Sequence, residues 1–274
     1  MKFSVLMTTY KLESPENLKR SLESILIEQT VLPNQMVLVF DGPVKKELKK
    51  VAEEVKKRFP NEMEIIQLPK NLGQAGASKK GLKYCKYELI ARMDSDDISE
   101  KNRFEIELKI FEKYPQIDVV GGWIGEFVTC ENEITQIREV PKKNREIEKM
   151  FRFRNPINNV TVMMKKEAII NAGGYDNKSV NEDYSLYVRI LINGGCFYNI
   201  QKVLVKVRTG NGMSKRRKDI KIFLDWRKDQ KKLLKAGKTN FKDYILSNIG
   251  CLGFVLMPYQ LKELLYRSVL RRKA

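Results

Sequence analysis

The 274-residue chain predicts an α/β fold: a mostly parallel sheet flanked by helices, followed by a basic helical C-terminal extension. Two observations carry that expectation. Through positions 1–100, short runs rich in Val, Leu, Ile and Met alternate with helix-period segments, the order of buried parallel strands joined by crossover helices. Each run also stops at polar residues: Thr9-Tyr10, Asp41-Gly42, Asn71-Leu72-Gly73 and Asp94-Ser95-Asp96. In open α/β sheets ligands bind at the carboxyl ends of the strands, so this order gathers those residues at one edge.

The first strand is Phe3 to Thr8. Ser14-Pro15 opens a helix with Ser at the N-cap and Pro at the first helical position, and Leu18, Leu22, Ile25 and Leu26 form its apolar face. Met36 to Phe40 is a second buried strand stopped by Asp41-Gly42-Pro43, and a charged helix follows from Val44 to Phe59. Glu64 to Leu68 is a third strand, and a helix of small residues runs from Gln74 to Cys85. The strand Tyr87 to Met93 then ends in Asp94-Ser95-Asp96-Asp97. Crowded carboxylates repel one another and call for a positive partner, which at such an edge is a divalent cation with a phosphorylated ligand. A solvated acidic turn is the plainer alternative.

The second half predicts strands at Asp118 to Val128, Glu133 to Val140, Val160 to Met164 and, as the last, Val203 to Val207. A turn falls at Gly173-Gly174-Tyr175, and a helix from Glu182 to Ile192 stops at Asn193-Gly194-Gly195. Beyond Arg208 the chain turns basic through Lys215-Arg216-Arg217-Lys218, and an apolar segment runs from Tyr244 to Met257. It is shorter than the roughly 18–20 apolar residues that span a bilayer.

Composition narrows the chemistry. With 52 Lys+Arg against 34 Asp+Glu the net charge is +18, which calls for an anionic partner: nucleic acid, an acidic leaflet or phosphorylated substrates. A specific nucleic-acid partner is not expected, since no binding motif is present and the acidic cluster repels phosphates. Cys85, Cys130, Cys196 and Cys251 are scattered without a C-x-x-C pair, which suits a reducing cytoplasm. The chain has no histidine, so catalysis must run on carboxylates, metal, lysine or tyrosine. A sugar-nucleotidyltransferase would need a glycine-rich phosphate loop after the first strand, and Thr8-Thr9-Tyr10-Lys11-Leu12 has no glycine.

The motifs Leu38-Val39-Phe40-Asp41-Gly42-Pro43, Asn71-Leu72-Gly73, Ala91-Arg92-Met93-Asp94-Ser95-Asp96-Asp97-Ile98 with Arg103, Gly173-Gly174-Tyr175 and Asn181-Glu182-Asp183-Tyr184 occur in an order that resembles the family 2 inverting glycosyltransferases of GT-A fold. The likeness is to bacterial exopolysaccharide, capsule and O-antigen transferases of the amylovoran-biosynthesis type. It implies a GT-A catalytic domain at 1–207, with a nucleotide-sugar half to about 100 and an acceptor half beyond, and a basic extension at 208–274. It also implies a UDP-sugar donor. Asp41 would bind the uracil, with Thr9, Tyr10, Asn71 and Gly73 lining the donor pocket and Asp94 on the ribose and sugar side. Asp96 would ligate Mn²⁺ or Mg²⁺, and Asp183, with Glu182 beside it, would be the catalytic base.

Arg208, Arg216 and Arg217 resemble the loop that closes on the donor diphosphate. The acceptor implied is a polyprenyl-diphosphate-linked saccharide. The cationic extension would then dock on an anionic membrane, placing the protein at the inner face of the cell membrane. Alternatives stay open at single positions: Asp41 as a turn residue, Glu182-Asp183 as helix-dipole acids, Arg103 as a partner of the acidic cluster, Arg92 and Lys80 as phosphate contacts. Ser78-Lys79-Lys80 stand where relatives often carry an Asn, and Asn159 where a histidine is common; Asn159 could still bond an acceptor sugar. Other readings of the whole chain are a non-catalytic homologue and a polyanion binder.

Overall fold

A computed structural model describes residues 1–209, 220–258, 260–262 and 271–273. The predicted strand–helix alternation forms the first half: β1 (Phe3–Thr9), α1 (Pro15–Leu26), β2 (Gln35–Phe40), α2 (Lys46–Arg58), β3 (Met63–Gln67), α3 (Gly73–Gly81) and β4 (Leu89–Asp94). β1 lies between β2 and β4, and β3 pairs with β2, all in parallel. Side chains alternate across β1: Val5 and Met7 join Leu18 and Leu22 of α1 in one apolar cluster, and Leu6 joins Val37 and Val39 in the other. Helices thus cover both faces.

Two local signals worked as expected. The Ser14 hydroxyl accepts the Asn17 N–H at 3.3 Å, capping α1. The small residues of α3 permit close approach: a Cβ on Gly81 would meet Leu6 Cδ1 at 2.5 Å and Val39 Cγ2 at 2.6 Å. The helix stops at Gly81 rather than at Cys85.

β5 (Ile98–Ser99), α4 (Arg103–Lys113), β6 (Val119–Phe127), β7 (Gln136–Arg138) and α5 (Asn144–Phe151) follow. A 3₁₀ turn (Asn159–Thr161) and β8 (Met163–Lys165) divide the segment predicted as one strand. Then come α6 (Lys166–Asn171), α7 (Glu182–Ile192), β9 (Phe197–Arg208), α8 (Ile220–Lys235), α9 (Phe241–Leu256) and β10 (Arg272–Lys273). β8 joins β4 to β6 by antiparallel pairing, and the predicted hairpin forms between β6 and β7.

β9 corrects the expected strand in length and rank. It starts at Phe197, before the expected Val203, and β10 follows it in the chain. Exposed Gln201 and Lys202 interrupt its apolar pattern where the β6–β9 register shifts, between the pairs Gly122↔Ile200 and Trp123↔Val203. α4 and α6 carry no side-chain cap that would have announced them from the sequence, and α5 has only Glu146 accepting the Lys143 N–H at 3.2 Å.

Candidate active site

Register places the acidic cluster. β4 runs beside β1 with Asp94 opposite Thr8, and the Ser21 hydroxyl of α1 donates to the Asp94 carbonyl at 3.1 Å. The Asp94 carboxylate accepts from Arg92 Nη2 at 3.3 Å and from Gln74 Nε2 at 3.0 Å. Arg92 is 1% exposed, donates to Ser78 Oγ at 2.9 Å and lies over the Tyr175 ring. It therefore orients Asp94 from inside the protein, and Ser78 serves Arg92. Lys80 is exposed.

The following turn concentrates negative charge. Burial, then the charges of Asp94 and Glu13, push the Asp96 carboxyl up to about 7. Asp97, 3% exposed, is raised well above its ordinary value by burial and by the charges of Asp96 and Asp94. It accepts the Arg208 N–H at 3.0 Å. β5 and the end of β9 pair antiparallel, and this brings Arg208 to the cluster. Its guanidinium lies over the Phe127 ring, 4.7 Å from the centroid. Arg216 and Arg217 lie outside the described residues.

Glu13 had no sequence signal. It sits in the β1–α1 loop, where its Oε2 accepts from Ser95 Oγ at 2.9 Å and its Oε1 accepts the Ser14 N–H at 2.8 Å. Arg103 does not pair with the acidic cluster. It is fully buried, bonded to Glu107 at 3.2 Å and donating to the Arg92 carbonyl at 2.8 Å, so it braces β4 from behind.

Asp41 and the Asn71 loop form the neighbouring part of the same edge. The Asp41 N–H donates to the Thr9 carbonyl at 2.8 Å, its Oδ1 accepts the Leu72 N–H at 2.6 Å, and its carbonyl accepts from Asn71 Nδ2 at 3.2 Å. Burial raises the Asp41 carboxyl, and the Leu72 and Gly73 N–H groups oppose it. Gly42 has φ +84° and packs against the Asn71 backbone, which requires glycine there. Thr9 Oγ1 is buried with no hydrogen-bond partner among the described residues, and Tyr10 is exposed.

Opposite stands the start of α7. Asp183 Oδ1 accepts the Tyr184 N–H at 2.7 Å, and its Oδ2 accepts from Asn155 Nδ2 at 3.0 Å. Burial and the adjacent Asp183 charge push Glu182 up to about 7. Burial raises Asp94, Arg92 opposes this and Asp183 adds to it, while Asp94 adds to the rise of Glu182, so the two acidic groups lie within electrostatic reach of one another. Asn159 is half-buried, and its Oδ1 accepts the Tyr187 hydroxyl at 2.7 Å. α7 is fixed from behind by α8, where Trp226 stacks on Tyr184 at 4.7 Å and Asp229 accepts from Ser185 at 3.2 Å.

The donor set fits a hard divalent cation. It is all oxygen and mutually repulsive. Among the described residues no three Asp, Glu or Cys side chains converge as a ready-made metal cage. The protein would therefore contribute one or two carboxylates, with phosphate oxygens and water completing the shell.

The profile of glycosyl transferase family 2 matches residues 4–171. The chain is 35% identical over 271 residues to an Escherichia coli UDP-Gal:alpha-D-GlcNAc-diphosphoundecaprenol beta-1,3-galactosyltransferase, covering 99% of this chain and 97% of that protein. It is 38% identical over 216 residues to the amylovoran biosynthesis glycosyltransferase AmsE of Erwinia amylovora, covering 79% of each. Among solved structures, S. aureus TarS 1–349 with UDP-GlcNAc superposes with a TM-score of 0.66 at 18% identity, over 98% of this chain and 76% of that one. The Pyrobaculum calidifontis mannosyltransferase PcManGT, solved with GDP-Man and Mn²⁺, superposes with a TM-score of 0.65 at 14% identity, over 96% of this chain and 72% of that one. The common architecture is the GT-A arrangement that the motifs imply. By its profile match and by its identity along nearly its whole length to known transferases, this chain belongs to glycosyl transferase family 2.

Proposed function

We propose that this glycosyltransferase moves a hexosyl or N-acetylhexosaminyl group from a UDP-sugar to a polyprenyl-diphosphate-linked saccharide, with inversion, in cell-surface polysaccharide synthesis. The observation that carries the reading is the opposition of Asp94–Asp97 at the end of β4 to Glu182-Asp183 at the start of α7, close enough for Asp183 to act on Asp94. The donor and acceptor named for the Escherichia coli relative support the substrate classes.

Asp41, Thr9, Tyr10, Asn71 and Gly73 would line the nucleoside pocket, and Asp94, held by Arg92 and Gln74, the sugar side. Asp96 would hold Mn²⁺ or Mg²⁺, which when bound supplies charge neutralisation to a diphosphate leaving group. Arg208, with Arg216 and Arg217, would contact that diphosphate. Asp183 would take the proton from the acceptor hydroxyl. That oxygen bonds to the anomeric carbon as the bond to the diphosphate oxygen breaks on the opposite face, and UDP departs. A positioned base is worth about 10²–10⁴-fold.

The extension would bring the enzyme to an acceptor held in a bilayer. α9 buries little and exposes Phe241, Ile245, Ile249 and Leu256 along one stripe, with Leu246 beside it. Among the described residues no helix is long and apolar enough to cross a membrane. We place α9 on the surface of an anionic inner leaflet, drawn there by the +18 charge.

The test is thermal stabilisation by UDP with and without Mn²⁺, alongside turnover of UDP-sugars. At 100 times Kd a ligand stabilises by about 2.7 kcal/mol. The metal-dependent part should vanish in Asp96→Asn, and Asp183→Asn should lose turnover while still binding UDP. A folded protein that ignores UDP and every other nucleotide would overturn the reading in favour of a non-catalytic homologue or polyanion binder.

A further inference from the structure

We propose that Asn155 is a positioning residue that fixes the carboxylate plane of Asp183, an inference that rests on Asp183 being the base. Asn155 lies in the loop between α5 and the 3₁₀ turn, far from α7 in sequence, and its amide is engaged at both ends. Nδ2 donates to Asp183 Oδ2 at 3.0 Å, and Oδ1 accepts the Ile157 N–H at 3.1 Å. The second bond settles the first. A backbone N–H can only donate, so the amide oxygen belongs on Ile157 and the NH₂ on the carboxylate; a flip would create two repulsive contacts.

The loop that carries Asn155 is stapled to the sheet. Arg138 Nη2 of β7 donates to the Asn155 carbonyl at 2.8 Å, and Asn199 Nδ2 of β9 donates to the Pro156 carbonyl at 3.1 Å. Asn158 Nδ2 donates to the Gly122 carbonyl of β6 at 2.7 Å, and Pro156, Ile157 and Asn158 are buried. None of these staples uses the Asn155 side chain, so replacing it with Ala costs the loop only the Ile157 N–H bond.

The consequence falls on Asp183. One oxygen is held by the Tyr184 N–H at the start of α7 and the other by Asn155 on the sheet. A carboxylate gripped at both oxygens cannot rotate about its terminal bond, yet each oxygen keeps a lone pair to receive a hydroxyl proton. Such fixed aim is what a general base needs. Asparagine supplies the donor without adding charge beside Glu182 and Asp94, which already face this carboxylate.

The variants Asn155→Ala and Asn155→Asp test this, with Asp183→Asn as reference and the UDP-sugar found to turn over as donor. Asn155→Ala should lower kcat roughly 10–100-fold with donor KM and UDP affinity unchanged, and Tm should fall only as far as the loss of the Ile157 N–H bond requires, a loss that Asn155→Asp avoids. A purely structural role would move KM and UDP affinity as well, and a wild-type kcat would also overturn the proposal.

Asn155→Asp places a second carboxylate at the same spot, and the pair then shares a proton as pH falls. Its activity relative to wild type should rise between pH 8 and pH 6, while that of Asn155→Ala stays flat. Glu182, Asp94 and Tyr187, on which the Asp183 charge acts, are common to all three proteins, so a pH dependence seen only in Asn155→Asp reports the new carboxylate. Carboxyl ¹³C NMR gives a substrate-free check: Asn155→Asp should show a coupled titration that disappears in Asn155→Asp/Asp183→Asn, and its absence would refute the contact. Undiminished turnover in Asp183→Asn would remove the base reading itself. A dead Asp183→Asn beside a fully active Asn155→Ala would remove only the role of Asn155.

Discussion

Replacing Arg103 with Met isolates the buried charge pair behind the site. Arg103 and Glu107 are both 0% exposed, one helical turn apart on α4, with Nε and Oε1 separated by 3.2 Å. At that distance two unit charges interact by about 5 kcal/mol for an effective dielectric near 20. Removing one member of a buried pair typically costs roughly 3–5 kcal/mol, because the other charge is left without compensation. At about 2–4 °C per kcal/mol for a chain of this size, the melting temperature should fall by roughly 6–20 °C.

The pH dependence carries a definite sign. Burial already pushes Glu107 up to about 7, with Arg103 pulling it down. A carboxyl raised in the folded state contributes stability that is complete at low pH and is lost as pH climbs through the folded value. Without Arg103 the folded value rises further, so the deficit of Arg103→Met against wild type should be large at pH 8 and shrink toward pH 5. Arg103→Met/Glu107→Leu, lacking both charges, should recover much of the loss. Circular dichroism melts of the three proteins across that range decide it. A pH-independent deficit, or a double variant no more stable than the single one, would refute the reasoning.

Other outcomes follow from single contacts. Gly42→Ala should destabilise by more than the roughly 1–2 kcal/mol of a left-handed residue, since its Cβ would meet Asn71 N at 2.5 Å; it should raise donor KM by parting the Asp41 turn from the Asn71 loop. Thiol titration of the native protein should find Cys130, which is exposed, reacting fast, and Cys85, buried and pushed up to about 12, silent until unfolding. Ile249→Glu should weaken flotation with anionic vesicles about tenfold or more, since Ile249 is 63% exposed on α9; undiminished binding would remove α9 as the contact.

The parallel half of the fold was legible because β1, β2 and β4 are buried apolar runs that end where the polypeptide must turn polar, with β3 a half-buried edge. Phe40-Asp41 and Met93-Asp94 print that transition directly. The 3.6-residue spacing of Leu18, Leu22 and Ile25 likewise announces a face that is then buried. What stayed hidden depends on contacts between distant positions. Glu13 acts through Ser95 and Asn155 through Asp183, and no local pattern marks either. Arg92 and Arg103 look like surface cations in the sequence, yet both are buried because backbone carbonyls, a hydroxyl and carboxylates receive them. β9 was shortened for a related reason: solvent-facing Gln201 and Lys202 break its pattern at an irregularity that only its partner strand defines.

β10 pairs antiparallel with β7, Arg272 opposite Ile137, while β9 leaves the sheet on the other side of β6. The polypeptide after β9 is therefore moored at two ends to the same three-strand neighbourhood. Between those ends α8 is docked on α7 through Trp226 and Tyr184, and Asp243 of α9 pairs with Arg152 at 2.9 Å, so both helices are held to the rest of the molecule by contacts of their own. Losing the β10 pairing would therefore leave the helices in place and uncover a strand edge on β7 that another chain could pair with.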